Sequence, residues 1–154
     1  SSTLGAGSGL FRGGTQLNNM LGELDIVGHA PKSPGERLAS MMTPTLLLEN
    51  GRPRLALGSA GSVRLAGAIA QVADAVLRGV PVGEAIERPR IHVDGDILHL
   101  EGGLMEVAPE GWKTVRWAGR NLYFGGVAAV ERRADGSLAA AGDPRRGGHG
   151  IVVG

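Results

Sequence analysis

An α+β fold is predicted for this chain, and three observations predict it. Apolar segments are joined across short turn signals three times. One apolar helical stretch, residues 63–78, stands apart from these hairpins in length. The helical segments come as a block after the second strand rather than alternating with strands, which suits helices gathered on one face of an antiparallel sheet, a layered sandwich.

The elements follow in order. Residues 1–4 suit the tail of a strand, and "GAGSGLFRGG" (5–14) a glycine-rich loop. "GAGSG" invites a dinucleotide-binding reading, but such a turn must open a helix, and "LFRGGTQLNN" has no helical period. "GHAPKSPGER" (28–37) is a loop of proline, glycine and charge. "MMTPTLLLE" (41–49) predicts a strand, "NG" (50–51) a two-residue turn, and "RPRLALG" (52–58) the return strand. The run Leu46, Leu47, Leu48 suggests a strand covered on both faces. "LGSAGSVRLAGAIAQVADAVL" (57–77) is a glycine-broken turn feeding a helix over 62–78, with Ser62 as a candidate cap and Arg64 in the first turn. "VGEAIER" (82–88) predicts a short helix stopped by Pro89. "RIHV", "DG" and "DILHLE" (90–101) make a second hairpin; "VAAVERR" (127–133), "DG" (135–136) and "SLAAAG" (137–142) make a third. "GIVVG" (150–154) suits a last short strand.

Composition narrows function by exclusion. With 154 residues the chain suits one domain, 1–154, with a substantial core. A net charge of +1, from 16 basic and 15 acidic residues, gives no electrostatic case for nucleic acid or anionic membrane. Aromatics at 3% leave little material for base stacking. Cysteine is absent, which removes disulfides, zinc thiolates and a thiol nucleophile. No segment approaches the roughly 18 apolar residues of a membrane span.

The residues able to do chemistry are few. His29, His92, His99 and His149 form no i, i+4 ligand pair. His92 and His99 straddle a turn and could face each other across a hairpin, for which a structural or surface role is the simpler account. Ser59 is not in a G-x-S-x-G elbow. "AGDPRRGGHG" (141–150) suits a turn stapled by an Asp–Arg pair better than a direct substrate contact. The turn around Gly61 and Ser62 offers backbone N–H groups at a positive helix end, where negative charge is favoured. The chain therefore holds an oxyanion-hole candidate without a convincing nucleophile and internal base. N-terminal-nucleophile hydrolases resolve that mismatch, because the residue exposed by self-cleavage supplies nucleophile and base together.

The segments "TLGAGSG" (3–9), "LNN" (17–19), "ERLASMMTPT" (36–45), "LGSAGSVR" (57–64), "ERPRIH" (87–92) and "GDPRR" (142–146) run in the order found in the small, C-terminal subunit of the γ-glutamyltransferase family, which the chain resembles over nearly its whole length. The resemblance implies an αββα sandwich to which this chain supplies the C-terminal portion. It implies a self-cleaving precursor whose new N-terminal Thr forms an acyl-enzyme on a γ-glutamyl or related amide. That Thr is expected upstream of Ser1, so the chain is expected to lack its first strand and nucleophile. A large, N-terminal subunit of the same precursor is the implied partner, and no metal or organic cofactor is implied.

The resemblance also assigns positions. Gly61 and Ser62 fall where the family places its oxyanion-hole amides, a site where losing one donor costs about 10²–10³ in rate. Both are usually Gly in the family, and Ser62 is a mild departure provided its φ is not positive. Thr3 resembles the family's second Thr, which supports the nucleophile. The acyl pocket departs further: Gly5 stands for Asn, Met20 for Gln or Glu, Glu23 for the Asp that holds the substrate α-amine, and Ser40 with Met41 for a Ser-Ser pair that holds the α-carboxylate. These changes imply altered acyl specificity. A non-catalytic relative is the alternative, and Ser1 as nucleophile is a third reading that places it on the wrong strand.

Overall fold

The computed structural model describes residues 9–17, 33–37, 40–104 and 109–153. The chain divides into two compact units, Ser1–Met41 and Met42–Gly154. In the first, β1 (Phe11–Arg12) and β2 (Thr15–Gln16) form a small antiparallel hairpin. A hairpin rather than a helix after "GAGSG" counts against nucleotide binding there. Beyond it, Ser33 N–H donates to the Glu36 carboxylate at 3.1 Å and Glu36 N–H to the Ser33 carbonyl at 3.0 Å, closing a turn inside the expected loop.

The second unit holds all three expected hairpins. β3 (Thr45–Glu49) and β4 (Arg52–Ala60) pair across Asn50 and Gly51, both with positive φ, as a two-residue turn of this kind requires. β8 (Gly126–Arg132) and β9 (Leu138–Gly142) complete a four-stranded sheet of order β3-β4-β8-β9. β5 (Ile91–Asp94) and β6 (Ile97–Leu100) form the remaining hairpin, whose turn is Gly95–Asp96, one residue later than the "DG" signal. β7 (Lys113–Arg116), which the sequence does not signal, adds to β6 in parallel. Its four residues are mostly exposed and alternate too briefly to stand out.

Two helices cover one face of the larger sheet. α1 (Leu65–Leu77) buries Leu65, Ala68, Ile69, Val72, Ala75 and Val76, a stripe at helical spacing. Gly79 ends it with φ 89°, and the amides of Gly79 and Val80 donate to the carbonyls of Val76 and Ala75, a paired C-terminal cap. α2 (Val82–Glu87) buries Val82, Ala85 and Ile86. Both pack on Leu55, Leu57, Val127 and Ala129, which alternate along β4 and β8 toward the helices.

Two expectations are corrected. Leu46 and Leu48 are 55% and 60% exposed, so β3 is an edge strand covered on one face only among the described residues. Residues 150–153 form no strand. Gly142, Gly148 and Gly150 instead let the chain fold back flat on β9. A Cβ at Gly142 would sit 2.5 Å from the His149 nitrogen, one at Gly148 2.7 Å from the Asp143 nitrogen, and one at Gly150 inside the Ala140 backbone.

Candidate active-site turn

β4 does not break at Gly58. It stays paired with β8 to Ala60, opposite Gly126, so Gly58 and Ser59 are strand residues. The turn begins at Gly61, with φ 140° and ψ 28°, a conformation that a side chain disfavours. A 3₁₀ turn, Ser62–Arg64, follows and runs directly into α1. Arg64 N–H donates to the Gly61 carbonyl at 3.2 Å. No side chain caps this start, and Ser62, the expected cap, does not serve as one. The leading amides of the turn therefore keep no intrahelical partner and point from the positive end of the helix.

Ser62 has φ +55°, contrary to the proviso under which Ser is a mild replacement for Gly. Its backbone N–H is retained, but the left-handed conformation strains a residue with a Cβ. Ser62→Gly is expected to raise stability by about 0.5–1 kcal/mol, the relief of strain net of the extra freedom of Gly in the unfolded chain. A urea-unfolding midpoint that falls in this variant would overturn the strain argument.

The wall facing the turn comes from residues 121–125. A Cβ on Gly61 would lie 2.8 Å from the Gly125 Cα and 4.0 Å from Nη2 of Arg146. Gly125 has φ 79° and closes a 3₁₀ turn, Leu122–Phe124, whose start is capped by the Asn121 side chain accepting from Tyr123 N–H at 2.9 Å.

Beneath that wall lies a buried four-charge network. Arg145 donates to both Glu101 carboxylate oxygens, from Nε at 2.8 Å and from Nη2 at 2.6 Å. Its Nη1 reaches Asp143 Oδ1 at 3.1 Å, and Arg90 Nη2 reaches Asp143 Oδ2 at 2.6 Å. The remaining hydrogen-bonding capacity goes largely to backbone. Val127 and Arg145 amides donate to Asp143. Arg90 and Asn121 amides donate to Glu101. Ile86, Arg88 and Phe124 carbonyls accept from the two guanidiniums. Burial pushes the Asp143 carboxyl up, but the two amide bonds and the Arg90 charge outweigh it and hold it below its ordinary range. The expected Asp–Arg staple is thus present, between Asp143 and Arg145, inside a larger arrangement. Arg90 and Glu101 were not singled out from sequence, because each sits beside a strand end where a charged residue usually meets solvent.

His92 and His99 do face each other across β5 and β6, with ring centroids 6.3 Å apart. Tyr123 packs on both, at 5.9 and 4.9 Å. Trp117 Nε1 donates to His99 Nδ1 at 3.3 Å. Burial, then the Arg64 charge, lowers the His92 pKa. No group of three or more His, Cys, Asp or Glu able to hold a metal occurs among the described residues.

Of the remaining candidate positions, Thr3, Gly5, Met20 and Glu23 lie outside the described residues. Ser40 and Met41 close the first unit, the former exposed and the latter half-buried.

The helix-covered antiparallel sheet and the turn that ends its central strand are shared with solved structures of the N-terminal-nucleophile hydrolase class. A gamma-glutamyltranspeptidase from Pseudomonas nitroreducens, complexed with L-DON, superposes with a TM-score of 0.64 at 26% identity, covering 80% of this chain and 67% of that one. The Bacillus anthracis transpeptidase CapD shares the fold with a TM-score of 0.65 at 24% identity, over 95% of this chain and 85% of that one. The sequence profile described as Gamma-glutamyltranspeptidase matches residues 1–153, and the chain belongs to that family. Curated relatives include an Acylase ACY 1 proenzyme of Pseudomonas sp. (strain SE83), 29% identical over 79% of this chain and 22% of its own length. The Glutathione hydrolase proenzyme of Escherichia coli (strain K12) is 27% identical over 94% of this chain and 28% of its own. The chain therefore spans about a quarter of such relatives' length.

Proposed function

We propose that the chain is the small-subunit portion of a proenzyme-derived amide hydrolase or acyltransferase working through an N-terminal Thr acyl-enzyme, with an acyl pocket altered from that for free γ-glutamyl groups. The observation that carries this is the turn at Gly61 and Ser62: leading backbone amides with no intrahelical partner, at a positive helix end, in a conformation that only a buttressed site retains. In the reaction, the Thr hydroxyl attacks the amide carbonyl and its proton passes to the Thr α-amine. The oxygen that gains charge is met by the Gly61 and Ser62 amides, which stabilise it only as it forms. Collapse expels the amine, which takes the proton back, and water or an acceptor amine then cleaves the ester. The names of the relatives, a glutathione hydrolase and an acylase, support an amide substrate in either case.

The face of the larger sheet opposite the helices, uncovered among the described residues, supports a partner. Leu46, Ala56, Gly58, Ala128, Val130 and Ala140 line a groove opposite the helices, and the large subunit of the same precursor is the proposed cover.

Two measurements on the full-length protein test the reading. Its intact mass and N-terminal sequences after purification are expected to show self-cleavage before a Thr upstream of Ser1. The processed protein is then expected to hydrolyse an N-acyl amide lacking the α-amine and α-carboxylate in preference to a γ-glutamyl anilide. Efficient glutathione turnover would overturn altered specificity. An uncut, inactive precursor would leave a non-catalytic relative.

A further inference from the structure

We propose that Tyr123 is a positioning residue for the Gly61–Ser62 turn and acts on it through Arg64. The inference rests on the reading of that turn as the oxyanion site, but the physical linkage can be measured without it. The turn needs an outside restraint. Gly61 and Ser62 both have positive φ, and no side chain caps the turn. A strained conformation of this kind persists only where its surroundings over-determine it.

Two restraints are visible, and both come from residues 121–125. The first is backbone against backbone, where Gly61 abuts Gly125 too closely for a Cβ between them. The second is the side chain of Arg64, the last residue of the 3₁₀ turn. Its guanidinium lies over the Tyr123 ring, 4.6 Å from the centroid. Arg64 makes no side-chain hydrogen bond or ion pair among the described residues, and its Nε is buried without a partner. The negative face of the Tyr123 ring is therefore what holds this half-buried cation.

Tyr123 is itself immobilised. It stacks on Trp117 at 4.7 Å and 21°, meets the Phe124 edge at 5.3 Å, and packs on His99. Its amide is tied to Asn121. Both ends of its turn are pinned by the buried charges, Asn121 N–H by Glu101 and the Phe124 carbonyl by Arg90. The buried network thus fixes the 121–124 turn, the turn fixes the ring, and the ring fixes Arg64. The Tyr123 hydroxyl makes no hydrogen bond among the described residues, so the ring face rather than the phenol does the holding.

The test uses Tyr123→Leu, which keeps apolar bulk without a π-face, Tyr123→Phe, which keeps the face, and Arg64→Met, all in the full-length protein. Hydrogen exchange at the Arg64 amide, which bonds to the Gly61 carbonyl, is expected to quicken about ten-fold or more in Tyr123→Leu and Arg64→Met, with the α1 core amides unchanged. Tyr123→Phe is expected to match the unmodified protein. Unchanged exchange in Tyr123→Leu, or equal damage by Tyr123→Phe, would overturn the proposal. If the unmodified protein turns over an amide, Tyr123→Leu is expected to lower kcat about ten-fold with KM held within about two-fold. A loss confined to KM would also overturn it. If no amide is turned over, the catalytic reading fails while the exchange result still decides whether Tyr123 holds the turn.

Discussion

Replacing Arg145 by leucine is expected to destabilise the protein by about 3–5 kcal/mol, because removing one partner of a buried ion pair strands the others. Arg145 and Glu101 side chains are fully buried, and Asp143 nearly so. In Arg145→Leu, Glu101 keeps only its bonds from the Arg90 and Asn121 amides. Asp143 keeps Arg90, the Val127 amide and the backbone amide of residue 145, but loses the guanidinium charge beside its Oδ1. The carbonyls of Ile86 and Arg88 lose a donor as well. Urea unfolding at neutral pH measures the loss, and a change under about 1 kcal/mol would show that the network is not under the tension that burial of charge implies. The same network sets an acid limit. The folded-state pKa of Asp143 is depressed, so its contribution is fully present above the unfolded value near 3.9 and is lost as pH falls through the lower folded value. Stability is therefore expected to drop in strongly acidic solution, and less so in Asp143→Asn, which lacks the ionisable group.

Gly61→Ala is expected to reduce turnover by about 10² or more while costing only about 1–3 kcal/mol of stability. The added methyl would meet the Gly125 Cα at 2.8 Å, a backbone atom that no rotamer change can move aside. Either the turn rotates or residues 122–125 retreat. In both cases the amides of Gly61 and Ser62 leave the place where a developing oxyanion would sit, and displacements of about 1 Å at such a site cost on the order of 10²-fold. The check is kcat and thermal midpoint measured together on the full-length protein. Turnover equal to the unmodified protein would remove Gly61 from the proposed mechanism. A matched collapse of both quantities would assign it to folding alone.

The hairpins and α1 were legible because each is local. Asn50–Gly51 dictates its own turn geometry, and the stripe from Leu65 to Val76 repeats at helical spacing. The exposure of Leu46 and Leu48 was not legible, since an apolar run does not by itself say whether one face of a strand or both are covered. β7 and the tail at 148–150 were missed for a related reason. A four-residue parallel partner and a glycine-permitted backbone contact depend on segments distant in the chain, so neither leaves a local period. Within the candidate site, Gly61 and Ser62 were found from the glycine pattern and from the resemblance. The positive φ of Ser62 was not, because residue type does not disclose a strained conformation.

By itself the sequence determined the α+β class, the three hairpins, the helix behind the Gly61 turn and membership of a family whose segment order it carries. Only the tertiary structure decided what supports that turn. Arg64, Arg90, Glu101, Tyr123, Gly125, Asp143 and Arg145 come from five separated stretches, and none is unusual in its own neighbourhood. Burial, full for Arg90, Glu101, Asp143 and Arg145 and partial for Arg64 and Tyr123, makes them a unit. Their charges and ring faces satisfy one another, and which groups meet is set by where the strands and turns bring them together.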